Sequence, residues 1–473
     1  MVAPKIRQGR VHTALLLLIS AILVSGCSSI ATQTKFYEPI QESLRAGNYD
    51  VAVAKIEKAF AEGKYAEKDR FLYYLDAGLA YHYADSFAVS ADLLNQAEIA
   101  ADELFTKSIS RAAASLLLND NVLEYAGEDH EALYTNLFKA LDYIELGRNE
   151  DAFVEIRRAN LKLQNLEQKY FDAAQTFRSA AKSDSTQADL PYDIQPLRFS
   201  NSAFARYLSM HMYATATKFD DARIDYELLH EAFKTQPQIY DFRAPEIKYA
   251  CRDKAILSIV AMTGTSPVKN DLKLRIRTDK QLDLVQVMYD GAAASSAEYG
   301  HFLLPISEDY YFKFAIPVMS PGQSEVAAIR VTADGRPIGE LQLIENVNRV
   351  AAEVFEPKKT LTYVRTVARA VVKGLAAHKL KEDIDEKNDD ALGSWLLRAT
   401  VDVGADVLEN ADLRCSRLLP SYIYVADFEL EPGAYDIEVE FANREGEIID
   451  SYRMQKFPVA KSALNLFRVV SLN

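Results

Sequence analysis

Apolar positions along this chain change their period once. From about residue 36 to 262 they recur at helical spacing, with Ala, Leu and Tyr prominent. From 268 to 473 they tend to alternate every second residue, as half-buried strands do. Between the two, Thr263-Gly264-Thr265-Ser266-Pro267 breaks both patterns and marks the expected boundary. Beyond it, 272–278, 282–289, 312–318, 326–344 and 423–430 read as strands, with Asp334-Gly335 as a hairpin turn. Residues 432–441 alternate apolar with acidic side chains, which buries one face and wets the other. A last strand is expected over Leu466–Leu472. Residues 345–409 read as a helical insertion, interrupted by an acidic loop from Lys381 to Asp390. The expected fold is α+β and multidomain. A helical array comes first, then an antiparallel, sandwich-like β domain carrying the insertion.

The helical half repeats. Gly47-x-Tyr49-x-x-Ala52 leads to Ile56 and Ala59, and Tyr74, Gly78, Tyr81 and Phe87 lead to Leu94 and Ala97. Tyr143-x-x-x-Gly147 leads to Ala152, Ile156 and Ala159, and Tyr213 and Phe219 lead to Ala222 and Tyr226. These offsets match the tetratricopeptide pattern of about 34 residues, in which small residues let paired helices approach. Unit starts near 33, 71, 133 and 203 predict steps of 38, 62 and 70 residues. The two long steps predict a hidden, degenerate helix pair in each. In that register Leu72, Leu75, Leu79, His82, Tyr83, Tyr134, Leu137, Leu141, Ile144, Glu145, Phe204, Tyr207, His211, Ala214 and Thr215 line the concave groove. So apolar a groove is not left to water. Either a partner's helix or peptide lies in it, or the chain fills it, with residues 161–182 as the candidate.

Residues 1–26 change the picture of where this happens. A basic start with Lys5, Arg7 and Arg10 precedes the apolar run 14–24 and then Ser25-Gly26-Cys27, the form of a secretory signal. Val24-Ser25-Gly26-Cys27 resembles the bacterial lipobox. That resemblance implies cleavage before Cys27, acylation of its thiol and amine, and a tether over 27–35 holding the body to a membrane. Ser28, where inner-membrane lipoproteins usually carry Asp, implies the periplasmic face of the outer membrane.

Without residues 1–26 the formal net charge moves from −14 to −17. Such a balance repels nucleic acid and anionic lipid heads, so nucleic-acid binding is not expected. Three cysteines are too few for a disulfide scaffold. Cys251 and Cys415 remain as a pair or as two buried thiols.

Catalytic chemistry finds little support. The seven histidines hold no metal-ligand spacing, and no phosphate-cradling or nucleophile motif is present, so neither metal, cofactor nor enzymatic activity is expected. In the acidic loop Lys387 stands where a calcium ligand belongs after Asp383 and Asp385.

Asn119-Asp120, Tyr125-x-Gly127-Glu128-x-x-Glu131, Ala140-Leu141-x-Tyr143 and Val154-Glu155-x-Arg157-Arg158-x-Asn160 together resemble an uncharacterised family of bacterial tetratricopeptide lipoproteins. Arg365-x-x-x-Arg369-Ala370-x-x-Lys373, Asp412-x-Arg414 with Leu419-Pro420, and Leu430-x-Pro432-x-x-Tyr435 extend the likeness over most of the chain. Cys415-Ser416 departs from the family's Ser-Trp. Genes of that family often neighbour lipoproteins that activate penicillin-binding proteins. That association points to envelope or peptidoglycan assembly, and the expected function is an outer-membrane-anchored protein-binding scaffold or accessory factor there, with an envelope protein as partner. An envelope hydrolase working through carboxylates, or a carrier of a lipid or apolar segment, is the alternative. Asn119, Asp120, Glu128, Glu155 and Arg158 are candidates for a polar network joining repeats to β domain. Surface ion pairs and a helix cap are the bland readings of the same residues.

Overall fold

Among the described residues, one turn geometry recurs within each helix pair of the N-terminal half. The computed structural model describes residues 34–114, 120–183, 197–249, 255–279, 281–282, 284–290, 298–303, 311–363, 365–366, 411–461 and 463–473. Helices α1 (Thr34–Arg45) and α2 (Tyr49–Ala61), α3 (Arg70–Tyr83) and α4 (Phe87–Ala114), α5 (Asp129–Glu145) and α6 (Asn149–Ser183), and α7 (Ala203–Thr215) and α8 (Phe219–Thr235) form successive pairs. Each pair turns through one left-handed residue, Gly47, Asp85, Gly147 or Thr217, at φ 68°, 55°, 70° and 59°. The next N–H then closes on a carbonyl five residues back. These bonds are Asn48 to Ser43 (2.8 Å), Ser86 to Tyr81 (2.9 Å), Arg148 to Tyr143 (2.7 Å) and Lys218 to Tyr213 (2.9 Å).

The turns therefore recur at the intervals expected from the sequence. Small residues fill equivalent places in the second helices, with Ala52, Ser90, Ala152 and Ala222 all fully buried. At Gly78 a Cβ would come within 2.6 Å of Leu94, which is why α3 and α4 need glycine there. No hidden helix pair lies among the described residues. The long steps are taken up partly by long second helices, α4 with 28 residues and α6 with 35.

Threonine is poorly suited to a left-handed turn because its branched Cβ crowds the backbone. Thr217 is exposed. Thr217→Gly is expected to raise stability by about 1 kcal/mol, read as a higher melting temperature. Asp85→Gly should not, since Asp85 also pairs with Arg468.

Among the described residues the C-terminal half holds three four-stranded sheets. The first runs β12 (Asn465–Ser471), β1 (Ala255–Thr263), β9 (Tyr422–Leu430), β8 (Gln342–Asn346), with β1 and β12 parallel. The second runs β11 (Ile448–Val459), β10 (Gly433–Ala442), β6 (Ala328–Ala333), β7 (Arg336–Glu340). The third runs β4 (Glu298–Leu303), β3 (Leu284–Tyr289), β2 (Val268–Asp279), β5 (Tyr311–Ser320). Asp334 and Gly335, both at positive φ, make the expected tight turn between β6 and β7. A helix follows β8 over 347–363, with 365–366 also helical; residues 367–409 of the expected insertion, including the acidic loop, lie outside the described residues.

Two corrections concern the boundary. The helical pattern does not run to residue 262, because α8 ends at Thr235 and β1 occupies Ala255–Thr263. The sheet is also not purely antiparallel. β1 is buried along its whole length. Leu257, Ile259 and Ala261 join β6 and β10 in the core between the first two sheets. Ile256, Val260 and Met262 join the apolar cluster of the helices. The first sheet is thus a middle layer, with helices on one side and the second sheet on the other. One apolar core crosses between the two halves of the chain.

Candidate functional site

The face of the helix pairs that carries the expected groove residues meets the C-terminal half. Leu72, Leu75, Leu79, Tyr83, Tyr134, Leu137 and Leu141 come together there as expected, and each is at most 2% exposed. They do not form an open groove. Tyr83 donates from its hydroxyl to the Leu418 carbonyl (2.7 Å), Tyr134 to Glu345 (2.7 Å) and Tyr207 to Asp427 (2.8 Å). It is the segment 411–421, with β8 and β9, that covers these positions. Residues 161–182 instead form the far part of α6, where Lys169 and Tyr170 reach back to Asp129.

Segment 411–421 has no helix and only its last residue borders β9, so its backbone polar groups need side-chain partners. Gln41 donates to the Arg417 carbonyl (3.4 Å) and Asn121 to that of Ala411 (3.4 Å). Arg414 is the centre. Its guanidinium donates to Asp69 (2.6 Å), to both oxygens of Asp412 (2.8 Å each) and to the carbonyls of Leu123 (3.1 Å) and Asp120 (3.0 Å). It also lies 5.2 Å from the centre of the Tyr125 ring. Burial works against charge at Asp412, but Arg414 outweighs it and holds that carboxyl well below the usual range.

Beside it, Glu128 is buried between two lysines, Lys269 (2.7 Å) and Lys358 (2.8 Å). Burial would push its carboxyl up; the lysines overcome that and bring it down to about 2. Asp120 pairs with Arg365. These groups line a small cleft between α4, α6, the 347–363 helix and β2, enclosing about 80 Å³.

Four further carboxylates at the junction are held largely by neutral donors. Asp76 accepts from Tyr37 (2.5 Å), Tyr65 (3.0 Å) and the Ser416 hydroxyl (2.7 Å). Glu131 accepts from Tyr125 (2.7 Å), the Glu128 N–H (2.7 Å) and the Ser416 N–H (2.6 Å). Glu345 accepts from Tyr134, Ser202 (2.7 Å) and Tyr240 (3.0 Å). Asp427 accepts from Tyr207 and Ser258 (2.8 Å) and stands 3.1 Å from His211. Burial raises Asp76 and Glu131 to about 7, Glu128 adding to the shift at Glu131, and burial raises Glu345 as well.

The expected polar network divides. Asp120 and Glu128 belong to the junction. Glu155 and Arg158 belong to a separate cluster within the helices, where buried Lys139 meets Glu98 (2.9 Å) and Glu155 (3.0 Å), and Arg158 reaches both acids. Asn119, Cys27 and Cys251 lie outside the described residues. Cys415 is a buried free thiol whose burial pushes it up to about 11.

One arrangement resembles a catalytic set and is not built as one. Ser90 and His82 both bond to Asp142 (2.6 Å each), the serine to one oxygen and the imidazole to the other. The acid stands between them, so the imidazole is not placed to take the serine's proton.

The residues missed from sequence are Asp69, Asp76, Lys269, Glu345, Lys358 and Asp427. Three carry one legible signal, a lone acid within an apolar run: Asp76 in Tyr74-Leu75-Asp76-Ala77, Glu345 after Leu343-Ile344, Asp427 in Val425-Ala426-Asp427-Phe428. Among the described residues no group of His, Cys, Asp and Glu is placed to hold a metal, and no helix is long and apolar enough to cross a membrane. No protein-family model matches the chain, and neither does any curated protein.

Proposed function

We propose that the protein is a lipid-anchored scaffold of the bacterial envelope, built on tetratricopeptide-like helix pairs and held through Cys27 at the periplasmic face of the outer membrane. The observation that carries the scaffold reading is the fourfold recurrence of one helix-pair turn. Stacked pairs of this kind give a long, stiff body whose faces serve protein binding. The chain's own C-terminal half occupies the concave face, so an envelope partner meets the outward side of the second helices, where Ile99, Leu161 and Phe171 are exposed. The pattern of residues 1–27 supports the anchor, and the resemblance supports a role in envelope assembly.

Cys27→Ala is expected to abolish labelling by a palmitate analogue and to release the protein from membranes without detergent. Normal labelling of the variant would remove the anchor. Photoreactive probes at Leu161 and Phe171 should capture an envelope protein in cells, whereas a probe at Leu75 should capture only the chain itself. Capture of a partner from Leu75, and none from the outward probes, would overturn the assignment of faces.

A further inference from the structure

The segment that closes the concave face is gripped at one residue by two acids from different helices. Ser416 gives its hydroxyl to Asp76 of α3 at 2.7 Å and its N–H to Glu131 of α5 at 2.6 Å. Both carboxyl groups are fully buried. The remaining bonds to Asp76 come from Tyr37 of α1 and Tyr65, and those to Glu131 from Tyr125 and the Glu128 N–H. No lysine or arginine forms an ion pair with either acid among the described residues. The charged groups that face them are Arg417, which acts on Asp76, and Glu128, which acts on Glu131; the Cys415 thiol faces Glu131 too. Arg414, by contrast, ties the same segment to Asp69 and to the Leu123 and Asp120 carbonyls, while Asp412 of the segment itself, held well below the usual carboxylate range by Arg414, braces the guanidinium.

We propose that Asp76 and Glu131 form a pH-responsive clasp on Ser416, which holds segment 411–421 on the concave face when both are protonated and loosens when they ionise. The physical ground is burial. An ionised carboxylate with no ion-paired cation is disfavoured out of water, whereas in an opened segment it is hydrated at no such cost. Both acids are pushed up to about 7 in the closed arrangement, against about 4 for a carboxyl in water. The closed segment therefore binds protons more tightly than the open one. Its hold is greatest below about pH 4, weakens as pH rises from there toward about 7, and levels off above. Arg414 keeps the segment attached throughout, so the expected event is a local opening at Ser416 that uncovers Tyr83 and its neighbours.

The test is hydrogen exchange of peptides spanning 411–421 in the full mature chain at pH 5.5 and pH 8, corrected for the chemical effect of pH on exchange. Protection is expected to fall at least about tenfold between the two, with β10 unchanged. In Asp76→Asn/Glu131→Gln the dependence should vanish. Protection independent of pH in the natural chain, or the same dependence in the double variant, overturns the clasp. Should the double variant not fold, carboxyl-carbon resonances of the natural chain decide. Midpoints near 7 for both acids support the clasp, and midpoints at or below about 4.5, the ordinary range, overturn it.

Discussion

Arg414→Ala is expected to lower stability by about 3–5 kcal/mol, the loss typical of removing one partner from a buried ion pair. The variant leaves Asp69, which is buried, and Asp412, which is half-buried, without their guanidinium partner. It also strips the Arg414 donor from the Leu123 carbonyl and from the Asp120 carbonyl, which keeps the Leu123 N–H (3.1 Å), and under-satisfied buried acceptors carry their own cost. Arg414→Lys should recover only part of this. A lysine supplies the charge but not the planar fork that reaches Asp69, Asp412 and two carbonyls together. Urea denaturation followed by tyrosine fluorescence measures both variants. A loss under about 1 kcal/mol for alanine, the level of an exposed pair, would mean that water reaches the site.

A fragment of residues 268–473 is expected not to fold, although the period of the sequence makes it look like a domain. It lacks β1, which pairs with β12 on one side and β9 on the other. Ile256, Leu257, Ile259, Val260 and Met262 are buried there, and each large apolar side chain contributes about 1.5–3 kcal/mol. Their sum, of the order of 10 kcal/mol, matches the whole stability of an ordinary protein. The fragment should show no cooperative thermal transition by circular dichroism. A sharp transition with native-like sheet signal would restore the boundary at 263–267.

β1 also shows why this part of the fold was not legible. A strand covered on both faces loses its alternation, and a short apolar run then looks like part of the helical pattern before it. β11 was hidden for the opposite reason. It lies at a sheet edge with most of its side chains in water, including Ile448 and Met454, so neither period stands out. The helix-pair turns were legible because a left-handed residue and a small packing residue recur at fixed offsets. The junction was half legible. The apolar face announced that something must cover it, and lone acids in apolar runs hinted at buried partners. Nothing local links Arg414 to Asp69, since that pairing exists only once the two halves have met.

The parallel pairing of β1 with β12 has a consequence for when the protein becomes complete. Synthesis delivers the helix pairs first and β12, the final strand, last. Until Asn465–Ser471 emerge, β1 lacks one neighbour, and until segment 411–421 arrives Tyr83 and Tyr134 have no cover. The nascent chain therefore carries an exposed tyrosine- and leucine-rich face for most of its production. Chaperones that bind exposed apolar segments have that whole interval in which to engage it.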